Sequence, residues 1–131
     1  MIKIKNFSNI NNDILKKLER DLNALLQLDL VIEAWDSPRK IYSPSQLRRR
    51  KIWCRALGHH YNPDESDGEV TGIFRKKVRL FARAFRGRDW KTIIHIALHE
   101  IGHYLDKNPL NRFLYRNSEE KADMFASKFG Y

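Results

Sequence analysis

Residues His99-Glu100-Ile101-Gly102-His103 spell H-E-x-x-H. On an α-helix four residues advance by about 400°, so His99 and His103 fall roughly 40° apart on one face, one turn along the axis. Two imidazoles so placed can share one zinc ion. Glu100 lies one residue round from His99, where its carboxylate can reach a water molecule instead of the metal. These types at this spacing describe metal-assisted hydrolysis. A shuffled chain of this composition contains the pattern about once in a hundred, so the surrounding residues decide its weight.

A catalytic zinc ion takes three protein ligands and leaves a fourth position open. Glu119, Glu120, Asp123, His95 or a loop histidine, His59 or His60, could supply the third. His95 precedes His99 by one turn, and three successive side chains at i, i+4 spread along the axis without converging, which sets it aside. His59 and His60 sit before the turn-rich run Asn62-Pro63-Asp64-Glu65-Ser66-Asp67-Gly68 and read as loop residues. The single cysteine, Cys54, excludes an internal disulfide and reads as a small, partly buried apolar residue.

The histidines need a helix to hold them. Asp89 can cap one from Trp90 to about Asp106, with Ile93, Ile94, Ala97, Leu98, Ile101 and Leu105 forming a broad apolar stripe and Asn108-Pro109 as its stop. Gly102 costs about 1 kcal/mol relative to alanine inside a helix, so a close neighbouring backbone is expected there. A second helix is expected from Ser118, as N-cap, to Phe129, with Ala122, Phe125, Ala126 and Phe129 facing inward.

Upstream, apolar residues at spacings of three and four predict a helix over 12–27 with Asp13 as N-cap, followed by a strand over 28–35. Ser43-Pro44 opens a helix over 44–57, on which Trp53 and Leu57 are expected in the core. Two short strands, 69–74 and 77–82, read as a hairpin. Along the second, Val78, Leu80 and Ala82 take the core face, leaving Arg75, Lys77, Arg79 and Arg83 as a basic stripe that could favour an acidic substrate segment.

The chain has 131 residues, 42% hydrophobic and 31% charged, which fits one globular domain. No apolar run approaches the ~20 residues of a membrane span, and Met1-Ile2-Lys3-Ile4-Lys5 lacks a signal-like apolar segment, so a cytoplasmic, soluble protein without membrane contact is expected. The net charge of +9 is concentrated in residues 39–91, where fifteen basic and five acidic side chains lie. Such asymmetry suits nucleic acid or an acidic partner, although no RNP, zinc-finger or basic-zipper pattern accompanies it.

His99-Glu100-x-x-His103 followed by Glu119-x-x-Ala122-Asp123 resembles the gluzincin arrangement of thermolysin-type peptidases. More closely, Leu98-His99-Glu100-Ile101-Gly102-His103 with Ser118-Glu119-Glu120-Lys121-Ala122-Asp123-Met124-Phe125-Ala126 is similar to the ImmA/IrrE family of small metallopeptidases, which carry H-E-L-G-H and E-x-x-A-N-x-F-A. Val70-Thr71-Gly72-Ile73-Phe74 fits that family's Thr-Gly-aromatic strand, so the resemblance covers about residues 69–129. Asp123 departs from the family's usual Asn, as thermolysin-like enzymes do. The resemblance implies a single α+β zincin-like domain: a small mixed or antiparallel sheet on the H-E-x-x-H helix, with N-terminal helices and a C-terminal glutamate helix. It implies one zinc ion on His99, His103 and Glu119, Glu100 as base, and Asp123 as an acceptor for a ligand imidazole. Tyr104, Tyr115 and His95 are candidates for stabilising the transition state. The substrate would be a protein, with a transcriptional repressor as the leading class. The alternative is a nucleic-acid-associated protein with a structural or vestigial metal, or a DNA-recruited protease. SprT-like proteins combine H-E-x-x-H with DNA-linked proteolysis, but use a downstream histidine, and none follows His103.

Overall fold

The computed structural model describes residues 1–71, 77–106 and 115–131, with side chains in the last segment described from Ser118 onward. Among the described residues the chain forms four α-helices and one mixed four-stranded sheet. In chain order these are β1 (Ile2–Asn6), α1 (Asn12–Leu25), β2 (Leu30–Trp35), α2 (Pro44–Ala56), β3 (Gly68–Thr71), β4 (Lys77–Phe81), α3 (Trp90–Leu105) and α4 (Tyr115–Ser127). None of the helices is long and apolar enough to cross a membrane.

The sheet order is β1-β2-β4-β3. β1 runs parallel to β2, with Ile2 opposite Leu30, and β2 runs parallel to β4, with Ile32 opposite Val78. β3 pairs antiparallel with β4, Gly68 opposite Leu80, as the hairpin pattern predicts, although it is described only as far as Thr71. Alternation places Ile2, Leu30, Ile32, Val78 and Leu80 on one face, where they meet Leu18 and Leu22 of α1 and Ile94, Leu98 and Ile101 of α3. β1 has the same alternation of Ile and Lys, but its pairing with β2 depends on contacts almost thirty residues away and was not expected. Side chains of α1 cover its outer edge: Asn23 accepts from the Ile2 N–H at 2.7 Å and donates to its carbonyl at 2.9 Å. Glu19 accepts from the Ile4 N–H at 2.8 Å. An edge so occupied cannot template another strand.

Capping corrects three boundaries. The N-cap of α1 is Asn11, whose side chain accepts from the Asp13 N–H, while Asp13 sits in the first turn, where its charge suits the dipole. α4 begins by Tyr115, so Ser118 lies inside the helix. α2 opens with the Ser43–Gln46 capping box and ends one residue short of Leu57. Trp53 is 55% exposed instead of in the core, because α2 reaches the domain chiefly through Leu47, Arg50 and Cys54.

The second face of the sheet carries a polar network. Arg79 Nε donates to Glu33 Oε1 at 3.0 Å, and its guanidinium also donates to Tyr42 Oη at 3.2 Å and Thr71 Oγ1 at 3.3 Å. Trp35 Nε1 donates to the same Glu33 oxygen at 3.0 Å. Glu33 is held below the usual carboxylate range; burial opposes this, but Trp35, Arg79 and the charge of Lys77 prevail.

The glycine expected to admit a neighbour does so. A methyl group on Gly102 would stand 3.1 Å from Ala122 Cα and 3.1 Å from Phe125 Cβ, so α3 and α4 cross here almost backbone to backbone. Gly102→Leu should therefore lower stability by about 1–3 kcal/mol through overpacking, despite a better helix former in place. Denaturant midpoints of the two proteins check this; equal midpoints would contradict the close crossing.

Candidate metal centre

Both histidines lie on α3, whose N-terminus is fixed by Asp89 accepting from the Thr92 N–H at 2.8 Å. The crossing at Gly102 brings one face of α4 alongside. His99 Nε2 lies 2.8 Å from Glu119 Oε2, His103 Nε2 lies 3.0 Å from Glu119 Oε1, and the two Nε2 atoms are 3.1 Å apart. The three groups are half-buried at the wall of a cleft of about 650 Å³.

The far sides of both rings are also held. His99 Nδ1 is 2.7 Å from Asp123 Oδ1, and a carboxylate can only accept, so Nδ1 carries the proton. His103 Nδ1 is 3.0 Å from the buried Ser118 hydroxyl, which can accept in the same way. With both rings neutral, the two Nε2 lone pairs face each other and the Glu119 carboxylate, an arrangement that a proton on His99 satisfies in the metal-free protein and that a bound cation would satisfy in its place. Zinc bonds of about 2.0–2.1 Å give a tetrahedral edge of about 3.3 Å, close to the spacing of these three groups. The donor set fits one zinc ion, with the cleft side open.

Glu100 lines the same cleft as this trio and is 8% exposed. Strand β3 lies directly on it: a methyl group at Gly68 would stand 2.8 Å from the Arg79 carbonyl oxygen and 3.0 Å from Glu100 Cγ. Burial pushes its carboxyl up to about 8; the His99 charge pulls it down, and Glu119, Glu69 and Asp67 push it further up. Burial disfavours the His99 imidazolium, but the Glu119 hydrogen bond, the Glu100 and Glu119 charges and the Asp123 bond raise it to about 9. Glu119 would be raised by burial, yet the two histidines bring it down to about 2.

The remaining expected residues are scattered. His95 lines the cleft, with Nδ1 donating to the Tyr131 carbonyl oxygen at 3.0 Å and Nε2 at 3.4 Å from Asp123 Oδ1. Tyr104 packs against the hydrophobic core and is not among the residues lining the cleft. The side chain of Tyr115, and Arg75, lie outside the described residues. The basic stripe does not stand as an exposed row. Arg79 is 8% exposed and held by Glu33, because β2 and Tyr42 cover the face it was expected to leave open. Lys77 lies 3.7 Å from Glu33 Oε2, and Arg83, on the turn after β4, pairs with Asp67 at 3.2 Å. His59 and His60 line the cleft, but among the described residues the metal-capable groups are His99-His103-Glu119 and His95-His99-Asp123. Sequence reasoning missed Gly68 and the Ser118 bond to His103; both depend on tertiary contact, and no local signal marks them.

No protein-family model, curated protein or solved structure matches the chain.

In the metal-free protein, stability should fall as pH rises from about 5 to 9. The His99 contribution is complete below its ordinary 6.5 and is lost as pH rises through about 9. Ionising buried Glu100 removes stability progressively from its ordinary 4.5 up to about 8. Glu119 acts in the opposite range: its contribution is present above 4.5 and is lost only as pH falls through about 2. Urea midpoints in the presence of a chelator should be lower at pH 8.5 than at pH 6, and Glu100→Gln should flatten the slope. A midpoint that rises with pH would contradict this assignment.

Proposed function

We propose that this chain is a zinc-dependent metallopeptidase of the zincin type, hydrolysing peptide bonds in a protein substrate. One observation carries the reading: two imidazoles and a carboxylate converge on one point, 2.8 to 3.1 Å apart, beside a glutamate buried under a strand. The resemblance to ImmA/IrrE metallopeptidases supports it, and makes a transcriptional repressor the leading substrate class.

His99, His103 and Glu119 would hold the ion. Zinc bound there supplies a Lewis acid that polarises the scissile carbonyl and lowers the pKa of water toward ~7. Asp123 keeps the proton on His99 Nδ1 and so aims Nε2 into the site; Ser118 does the same for His103. Glu100, whose carboxyl is raised by burial in the metal-free protein, would take a proton from water and pass it to the leaving amine. β3 is the edge strand of the sheet, and its residues line the cleft. An extended peptide adding to that edge would lay its backbone past Glu100. His95 is the candidate placed at the cleft for stabilising charge on the substrate.

Metal content and cleavage test the parts separately. Wild type and Glu100→Gln should each bind one zinc ion, while Glu119→Ala should retain little. Asp123→Ala should weaken zinc affinity by about 10- to 100-fold. Against a peptide library, wild type should cleave and Glu100→Gln should not; undiminished cleavage by that variant would sink the mechanism, and absence of zinc from wild type would sink the site.

A further inference from the structure

We propose that the outer face of α2 is a docking surface for the phosphate backbone of nucleic acid. Pro44–Ala56 contains no acidic residue, and Arg48, Arg49, Lys51 and Arg55 are all exposed on it. Among the described residues none of the four has an ion pair, unlike Lys77, Arg79, Arg83 and Arg88, each of which faces Glu33 or Asp67. Among the described residues these four cations of the helix are therefore unpaired, while Lys77, Arg79, Arg83 and Arg88 are compensated.

At 100° per residue, Lys51, Arg55 and Arg48 fall within about 60° of one another, and Arg49 stands on the adjoining flank. The flank of the helix beyond Lys51 is committed to the domain. Leu47 is buried, and Arg50 donates to Glu69 at 2.8 Å and to the Tyr42 hydroxyl at 3.0 Å. Beside the free face lies a hollow of about 320 Å³ whose charged liners are Arg39, Arg48 and Lys51, with His60 at its wall and no Asp or Glu among its lining residues. Asp64 holds Arg39 through two hydrogen bonds, at 2.8 and 3.1 Å, leaving Arg48 and Lys51 to whatever enters.

The composition of the face selects the partner. Protein interfaces are depleted of lysine and charge at their centre, and an anionic membrane requires a continuous apolar stripe. Here four cations accompany two exposed large apolar side chains, Ile52 at 63% and Trp53 at 55%, which stand about 100° apart round the helix and form no continuous stripe. Interfaces with nucleic acid are polar and strongly positive, and planar guanidinium groups match phosphate oxygens in pairs. The inference is independent of the metal centre, which lies across the cleft on α3 and α4.

Fluorescence anisotropy with a labelled DNA duplex of about twenty base pairs tests it, using the full chain across a salt series. Each phosphate contact contributes about −0.9 to the slope of log affinity against log salt, so three or four cations should give a slope of about −3 to −4. Arg48→Gln/Lys51→Gln/Arg55→Gln should weaken binding at least about tenfold at low salt and make the slope shallower by about 2–3. An unchanged thermal midpoint would show that this variant is folded. Lys3→Gln/Lys5→Gln/Lys16→Gln removes the same charge from exposed positions elsewhere and should leave binding within about twofold. Failure of the wild type to bind at about 50 mM salt would overturn the proposal, as would equal loss in both triple variants. It would also fall if polyglutamate or phosphatidylserine vesicles bound as tightly as DNA with the same dependence on α2.

Discussion

Everything at the candidate metal centre depends on how closely α3 and α4 approach at Gly102 and Ala122. Ala122 is 1% exposed, and a single methyl group on Gly102 would already crowd its Cα. With larger residues at either position the axes would separate, and the hydrogen bonds that now span them could not form. His103 reaches both Ser118 and Glu119 from one side of the contact, and His99 reaches Glu119 and Asp123. Two residues with no polar side chain therefore set every distance among the polar ones. Packing density, more than ionic attraction, fixes the geometry.

The same contact organises the electrostatics. Three carboxylates and two imidazoles share a small, partly dry volume, where like charges cannot all be expressed. Glu119 keeps its charge because two histidines face it, while Glu100, walled off by β3, gives its own up most readily. Neighbouring glutamates in one fold are thus driven in opposite directions by their surroundings, one toward constant ionisation and the other toward proton exchange near neutrality.

What could be read from the sequence was what is local or periodic. The stripe on α3, its Asp89 cap, the antiparallel hairpin and the strain-relieving role of Gly102 follow from spacing and residue type within a few positions. His99 and His103 were legible as a pair because helical periodicity brings residues at i and i+4 to a common face; Glu119 and Asp123 joined them only through the resemblance to known metallopeptidases, and the structure does bring these four together. Long-range pairing was not legible. β1 depends on β2, Arg79 on Glu33, and the exposure of Trp53 on how little of α2 the domain covers. Alternation alone gave Arg79 to solvent, since it cannot tell a bare face of a sheet from one closed by a remote tyrosine.

Gly68 has a negative or extended backbone that any residue could adopt, so its value is purely spatial: it lets main chain lie where a side chain would collide with Glu100. The consequence is entropic. A free glutamate loses up to about 2 kcal/mol of rotamer freedom when fixed in one orientation. Under a strand that admits no sideways movement of its methylenes, Glu100 loses that freedom once, when the chain folds. In the peptidase proposed above, its carboxylate would then be in place for each encounter with substrate, and a position bearing no side chain would become part of how fast a neighbouring acid can respond.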